Sequence, residues 1–299
     1  MSVSVVIGNY NGEHVLGDCL ASLAAQTLRP EAILVVDGDS HDASRTVTEA
    51  AGATFTPREN RGLGYLYNEG VAASQTEFVF LANNDIAADS ACLERLTAVL
   101  ERDDTAFAAD AHQTSWDEGR TIHARTTLTT GRMRGEYLPG LHLDPNVPSS
   151  TPAATVCANG AAMMVRRSMY EELGGFDETF FMEWEDLDLC WRAWMKRWRT
   201  IYVPHATVRH RVGAVTTRAI QPRRSASSHH NLVRFALKCL PPAAAIRVAL
   251  GEAARLPAHP RAVTAGLTQV ARELPAILRQ RRRLAPNRAL LEAMLKDEL

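Results

Sequence analysis

The fold is decided by residues 3–23, which read VSVVIGNYNGEHVLGDCLASL. The run from Val3 to Ile7 is rich in β-branched residues, as expected of a buried strand. The apolar residues after the polar GNYNG segment recur at steps of one, three and four: Val15, Leu16, Cys19, Leu20 and Leu23. That spacing places them on one face of a helix, so the stretch predicts a strand followed directly by an amphipathic helix.

The same strand and helix unit recurs through the first hundred residues. Further strands are predicted at Ile33–Val36, Thr54–Phe55 and Phe78–Leu81. Helices are predicted at Ser44–Ala51, Leu66–Ala73 and Cys92–Leu100. Repeated units of this kind imply an α/β fold, with a Rossmann-like, mostly parallel sheet and helices on both faces.

Polar residues follow each predicted strand, where parallel sheets bind ligands. These segments are Asn9–Asn11, Asp37–Asp42, Asn60–Gly64 and Asn83–Asp85. Ordinary turn chemistry explains any one of them, because Asn, Asp and Gly bond locally and tolerate unusual backbone angles. Four such segments at one edge of a sheet favour a ligand site.

Composition indicates a globular chain in a reducing compartment. Its 299 residues, 46% of them hydrophobic, are enough for one large or two modest domains. The five cysteines are odd in number and widely spaced, which argues against a disulfide framework or a cysteine metal site. No signal peptide or spanning helix is expected, and we interpret the final KDEL as a coincidence because no entry signal accompanies it.

Charge is divided unevenly along the chain. The net charge is −1, yet residues 189–251 hold twelve Lys or Arg and no acid. Such a stretch suits phosphates, an anionic acceptor or an anionic membrane face. An equal alternative is that these basic residues simply neutralise the acidic residues of the first part of the chain across the fold. Nucleic acid is less favoured as a partner, because few aromatic residues are interleaved with the basic ones.

An acidic, Trp-rich segment reads GGFDETFFMEWEDLDLCWRA from Gly174. A helical stripe is predicted through Trp184, Leu187, Trp191, Trp194 and Trp198, with Glu185 and Asp186 off the stripe. One interpretation is helix-end electrostatics with an Asp188 to Arg192 pair. The other is a pair of carboxyl groups with separated pKa values, one of them suited to accept a proton.

Taken in order, the motifs resemble a known family. VVIGNYNG, VVDGDSHDAS and NRGLGYLYNEG are followed by LANNDI, the GGFD segment and PHATVRH. They are similar to glycosyltransferase family 2, the inverting nucleotide-sugar transferases with a GT-A fold, and to its non-processive, rhamnosyltransferase-like members. The resemblance runs from about Val3 to His210.

The resemblance implies roles for particular residues. Asp186 would be the catalytic base and Glu185 its neighbour that orients or tunes it. Asp85 and His210 would hold a divalent cation, Mg²⁺ or Mn²⁺. The nucleotide sugar would contact the polar residues that follow the strands: Asn9, Asp37, Asn60, Gly62 and Asn84. Asn83 stands where the family carries a first carboxylate, which weakens the expected metal site.

The preferred function is transfer of a sugar from a nucleotide diphosphate sugar to a hydroxyl acceptor, in polysaccharide, lipid-linked glycan or metabolite synthesis. A GT-A domain is expected at 1–220, with a nucleotide-sugar half at about 1–105 and an acceptor half at about 106–220. A basic helical extension is expected at 221–299. The Gly- and Pro-rich residues 110–155 predict loops with acceptor contacts.

Partner and location follow from the same interpretation. We expect a cytoplasmic enzyme at the inner face of the membrane, with a peripheral contact made by the Arg279–Arg283 cluster and adjacent leucines. The alternative is a catalytically inactive nucleotide-sugar-binding scaffold or regulatory subunit. A nucleotidyltransferase is less favoured, because GNYNGEH lacks a basic phosphate loop.

Overall fold

The computed structural model describes residues 2–117, 119–129, 142–213, 221–286 and 288–296. The strands are β1 Val3–Asn9, β2 Ala32–Asp37, β3 Thr54–Pro57, β4 Phe78–Asn83, β5 Ile86–Ala88, β6 Ala106–Ser115, β7 Thr121–His123, β8 Arg125–Thr129, β9 His142–Val147, β10 Ala153–Ala154, β11 Ala162–Arg166 and β12 Arg199–His210. The helices are α1 Glu13–Ala24, α2 Ser44–Ala50, α3 Leu63–Ala73, α4 Cys92–Arg102, α5 Arg167–Leu173, α6 Glu185–Met195, α7 Gln221–Cys239, α8 Pro242–Ala253, α9 Pro260–Leu284 and α10 Arg288–Leu295.

A single large sheet organises the molecule. Its order is β10-β12-β6-β11-β4-β1-β2-β3. Strands β1 to β4 pair in parallel, whereas β11 runs antiparallel between β4 and β6. The carboxyl ends of β1, β2 and β4 therefore meet at one edge, as the α/β pattern predicts, and the turn before β11 lies beside the end of β4.

Two cores lie on opposite faces of this sheet. Every residue of β1 is buried, with Val5 and Ile7 in the core beneath α1 and α4 and Val6 in the core beneath α3 and α6. Alternation along the strand explains this division, because successive side chains point to opposite faces. The buried side of α1 consists of the five residues that its spacing predicts.

Residues 110–155 differ from the expectation of loops, in the part that is described. They contain the end of β6 and four short strands, β7 to β10. Strands of two to six residues among Gly and Pro give too little alternation to be read from sequence. Along the C-terminal helices, Pro242 and Pro260 each occupy a first turn, where proline is tolerated, but Pro275 lies inside α9.

The C-terminal helices pack on the acidic segment around α6 as well as on each other. Phe235 of α7 contacts the rings of Trp184 and Trp191, with ring centroids 5.6 and 5.4 Å apart. Lys238 of α7 lies 2.7 Å from carboxylate oxygens of both Asp177 and Asp188. In the described part of the chain, no helix combines the length and apolarity needed to cross a bilayer.

Candidate active site

A cleft of about 290 Å³ opens at the carboxyl edge of β1 and β4. Of the predicted site residues, it is lined by Asn9, Asn60, Gly62, Asn84, Asp85 and His210. These residues come from four separate segments of the sequence, so the structure brings together most of the predicted site. Asp37, Glu185 and Asp186 lie outside the described lining.

Asp37 lies behind Asn9 and is buried. Its carboxylate accepts hydrogen bonds from the Asn9 side-chain amide at 2.6 Å and from the Ser40 backbone amide and hydroxyl at 2.8 and 2.7 Å. Asn9 in turn accepts a bond from the Asn84 side-chain amide at 2.6 Å. Three predicted nucleotide-site residues thus form one network, in which Asp37 orients the amide that lines the cleft.

Asp85 and His210 lie side by side in the cleft, with Asp85 Oδ1 3.1 Å from His210 Nε2. The other ring nitrogen, Nδ1, lies 3.0 Å from Gln113 Oε1. An amide oxygen only accepts, so Nδ1 carries the proton in the neutral ring and Nε2 presents a lone pair to Asp85. Asp85 Oδ1 is buried and makes no hydrogen bond. The oxygen of Asp85 and the nitrogen lone pair of His210 together favour the binding of a cation beside them.

A hydrogen-bonded bridge separates the cleft from the predicted base. The Tyr67 hydroxyl contacts Asn83 Oδ1 at 3.1 Å and the Gly160 carbonyl at 2.9 Å. The Gly160 amide donates to Asp186 Oδ2 at 3.2 Å. Asn83 lines the cleft, so Tyr67 and Gly160 together link Asp186 to the wall of the cleft.

Glu185 and Asp186 open helix α6 in different surroundings. Burial, reinforced by the charge of Asp186, raises the pKa of Glu185 to about 8, and its Oε2 has no hydrogen-bond partner. Burial also raises the pKa of Asp186, opposed by bonds from the backbone amides of Gly160 and Leu187. Glu185 is therefore protonated near pH 7, whereas the two backbone amides favour the charged form of Asp186.

The predicted pair of Asp188 and Arg192 is confirmed. Asp188 is buried, and its carboxylate accepts a hydrogen bond from Arg192 Nε at 2.8 Å. Lys238 and Arg192 lower the pKa of Asp188 against the effect of burial. The predicted Trp stripe is wrong at its end, since α6 stops at Met195 and Arg197 has a φ of 63°. Trp198 thus follows the helix.

A histidine and aspartate pair adjoins Asp186 and was not foreseen. His123 Nε2 lies 2.8 Å from Asp110 Oδ2, and both residues are buried. Burial opposes protonation, but Asp110 outweighs it and raises the pKa of His123. The Asn159 amide donates to Asp110 at 3.0 Å, next to the Gly160 amide that bonds Asp186. No short motif links Asp110 and His123 in the sequence, and each of them reads as an ordinary strand residue.

Comparisons with known proteins decide the family. Residues 4–174 match the profile described as Glycosyl transferase family 2. The chain belongs to glycosyltransferase family 2. This confirms the resemblance, and this chain is a nucleotide-sugar-dependent glycosyltransferase; no finding favours the inactive scaffold.

Two relatives come from Mycobacterium tuberculosis. An N-acetylglucosaminyl-diphospho-decaprenol L-rhamnosyltransferase is 27% identical over 251 residues, covering 76% of this chain and 80% of the relative. A pre-mycofactocin glycosyltransferase is 33% identical over 156 residues, covering 50% of this chain and 30% of the relative. The glycosyltransferase is thus similar to the first along most of both chains.

Solved structures confirm the GT-A fold. A mannosyltransferase from Pyrobaculum calidifontis in complex with GDP-Man and Mn²⁺ has a TM-score of 0.57 at 18% identity, covering 98% of this chain and 82% of its own. GalNAc-T7 with UDP, GalNAc and Mn²⁺ has a TM-score of 0.63 at 16% identity, covering 81% of this chain and 48% of its own. At these identities the likeness shows the fold alone.

Proposed function

We propose that this glycosyltransferase inverts configuration as it moves a sugar from a nucleotide diphosphate donor to a hydroxyl of a lipid-linked or related glycan acceptor. The observation that carries the proposal is the cleft that joins Asn9, Asn84, Asp85 and His210, to which Asp186 is linked through Gly160 and Tyr67. The first of the relatives above is named for a diphospho-decaprenol acceptor, which supports a lipid-linked substrate.

Asp186 is the proposed base. It accepts the proton of the acceptor hydroxyl while that oxygen forms a bond to the anomeric carbon. The bond from this carbon to the diphosphate oxygen breaks on the opposite face, and the nucleoside diphosphate leaves with its electron pair. The bonds from the backbone amides of Gly160 and Leu187 support this role, because they favour the carboxylate form of Asp186 that accepts a proton.

Asp85 and His210 would hold a divalent cation, Mg²⁺ or Mn²⁺. When bound, the ion supplies Lewis-acid stabilisation to the leaving diphosphate. Within the described residues, no group of three or more His, Cys, Asp or Glu side chains is arranged for a metal ion. Phosphate and water oxygens would complete the coordination, as Mg²⁺ sites commonly require. The unpartnered Asp85 Oδ1 and the neighbouring His210 lone pair fit such an ion.

Asn9, Asn60, Gly62 and Asn84 would contact the nucleotide sugar, with Asp37 holding Asn9 in place. A second cavity of about 530 Å³ meets this cleft at His210–Gly213 and is lined by Ser115, Trp116 and Ile122. We assign it to the acceptor, in keeping with the expected acceptor half.

The enzyme is further proposed to work at the cytoplasmic face of a membrane. Five of the six exposed large hydrophobic side chains in the described residues lie on α8, α9 or their connection: Ile246, Leu250, Leu256, Leu274 and Leu278. Arginines are interleaved with them, and neither acid of these helices is free, since Glu252 is buried against His229 and Glu273 pairs with Arg234. An apolar and basic face suits anionic lipid. Arg281 does not contribute, because it bonds the carbonyls of Leu237 and Leu240.

Replacement of the base tests the proposed reaction. Asp186→Asn is expected to lower sugar transfer about 100- to 10,000-fold, because general-base assistance is lost. Binding should survive, read as a thermal shift with a panel of nucleotide sugars with and without Mn²⁺. Asp104→Asn, an exposed control, should transfer normally. Substantial turnover by Asp186→Asn would remove Asp186 as the base.

A further inference from the structure

The segment before the catalytic helix has an unusual backbone. Phe181, Met182 and Glu183 line the cleft, and with Trp184 they form what we call the FMEW loop, residues 181–184. Glu183 and Trp184 have φ values of 65° and 76°. The backbone of residues other than glycine rarely adopts this left-handed region, so two successive residues in it need support from their surroundings.

That support comes from α7, about fifty residues further along the chain. The Asn231 side-chain amide donates to the carbonyls of Met182 and Glu183, both at 2.8 Å. Asn231 is fully buried, so water cannot replace these bonds. Ser228, one turn earlier on α7, donates to the Glu183 carboxylate. The helix therefore holds the loop by its backbone and by a side chain.

Asn231 is itself fixed by a second helix. Its Oδ1 lies 2.7 Å from His230 Nδ1, and His230 Nε2 lies 3.0 Å from Glu273 of α9. With the oxygen engaged by His230, the amide nitrogen is directed to the two carbonyls. The contacts run in series from α9 through α7 to the loop.

We propose that Asn231 is a positioning residue for the active site: it fixes the FMEW loop, and through it the direction in which α6 presents Asp186. The loop ends one residue before Glu185, and the Asp188 amide bonds the Trp184 carbonyl at 2.9 Å, so a shift of the loop moves the first turn of α6. The C-terminal helices are then part of the catalytic apparatus. The proposal rests on the assigned role of Asp186.

Three variants of the full chain test it. Asn231→Ala removes both bonds, and Asn231→Asp keeps the shape but turns an acceptor toward the carbonyls. Ser228→Ala removes only the side-chain contact. Val233→Ala is the matched control, because Val233 lies on the same helix but packs against Val270 and Ile277 of α9.

Two readouts are needed, taken at a temperature where circular dichroism shows every variant folded. Steady-state kinetics should show kcat lowered about 10- to 100-fold in Asn231→Ala, since small displacements of reacting groups have effects of that size. Asn231→Asp should be impaired at least as strongly. Hydrogen exchange in a peptide covering residues 182–190 should be faster in both variants, less affected in Ser228→Ala, and unchanged in Val233→Ala.

The outcomes separate the two proposals. Wild-type kcat and wild-type exchange in Asn231→Ala would overturn the positioning role. Near-normal behaviour of Asn231→Asp beside a defective Asn231→Ala would also overturn it, because packing volume alone would then matter. If the wild-type enzyme transfers no sugar, the proposed function fails, whereas the exchange comparison still decides whether α7 holds the loop.

Discussion

At the scale of single residues, the paired carboxyl groups at the start of α6 differ because of what surrounds them. Glu185 has no hydrogen-bond donor for its buried Oε2, whereas Asp186 receives two backbone amides. A carboxylate is stabilised by such donors and destabilised by burial without them. Adjacent positions in sequence thus differ in how strongly their surroundings favour the charged form.

This difference predicts a pH-dependent stability. The folded state binds the Glu185 proton more tightly than the unfolded chain, because its pKa is raised to about 8. The contribution of Glu185 to the free energy of unfolding is therefore complete below the ordinary glutamate pKa and is lost as pH rises towards 8. Glu185→Gln has no proton to lose, so its Tm relative to wild type should rise from pH 5 to pH 9, by about 2–4 °C per kcal/mol.

Thermal melts at pH 5, 7 and 9 measure this trend. Glu101→Gln, at an exposed position of α4, serves as the control and should follow the wild type at every pH. A constant difference between Glu185→Gln and wild type across the range would contradict the predicted neutral state of Glu185.

Motifs in the sequence identify many of the residues that line the cleft, since these lie at or soon after the carboxyl end of a strand. They do not identify the residues that hold the motifs in place. Gln113 contacts His210 across 97 positions, and Asn231 contacts Met182 across 49. Such partners have no fixed spacing, and a buried Gln or Asn reads in sequence as any polar residue of a strand or helix.

At the scale of elements, the entry to α3 and the FMEW loop touch each other. Gly62 has a φ of 104°, and a β-carbon there would lie 2.3 Å from the Phe181 carbonyl oxygen. Both residues line the cleft. A side chain at this point would push apart two walls of the proposed nucleotide-sugar site.

Gly62→Ala is accordingly expected to raise the donor KM about tenfold or more, a loss equivalent to about 1.4 kcal/mol of binding. Gly52→Ala is a matched control: Gly52 has a φ of 73° and nothing within 4 Å of its β-carbon position. Both variants bear strain from a positive φ, and it is larger at Gly62, whose φ of 104° and ψ of 166° are essentially restricted to glycine. Only Gly62→Ala also has the collision. Equal donor KM values in the two variants would show that the contact is unimportant.

Regular elements could be predicted where the pattern is long. Apart from the three-residue strand β5, which was not predicted, the strands and helices up to residue 102 agree with the spacing of their apolar residues, within a few positions at their ends. Strands β7 and β10 could not be predicted, because three and two residues show no periodicity. The antiparallel β11 also escapes prediction, since AMMVR is compatible with helix or strand and only its neighbours β4 and β6 decide.

At the scale of the whole molecule, exposed apolar side chains and arginines occur together along α8 and α9. The division into a catalytic domain at 1–220 and an extension at 221–299 stays a prediction. The contacts of Phe235 and Lys238 with the acidic helix show how closely the two parts pack.

The surface of α8 predicts binding to anionic lipid. At low salt, the wild-type enzyme should sediment with anionic vesicles of about 70% phosphatidylcholine and 30% phosphatidylglycerol. Ile246→Asp with Leu250→Asp should abolish sedimentation, because both side chains are more than half exposed, at 58% and 66%, and the charges repel anionic lipid. The fold should be unaffected.

A double variant with Asp at the exposed alanines Ala21 and Ala72 carries the same added charge on α1 and α3 and should still sediment. Equal loss in both double variants would attribute the effect to net charge. If the wild-type enzyme stays in the supernatant and instead elutes as a dimer that Leu250→Asp dissociates, the surface serves self-association and the membrane proposal is wrong.

All five cysteines are free and buried. Cys19 and Cys92 lie in the core beneath α1, and Cys157, Cys190 and Cys239 lie in the core beneath α6 and α7. Burial raises the pKa of Cys92 to about 12, and those of Cys19 and Cys239 are raised too, so these three side chains are thiols rather than thiolates in the intact protein. An alkylating reagent would therefore modify these buried thiols only during transient opening of the structure. Peptide mapping of the labelled sites would then measure the rate of opening on each face of the sheet separately, without an engineered probe.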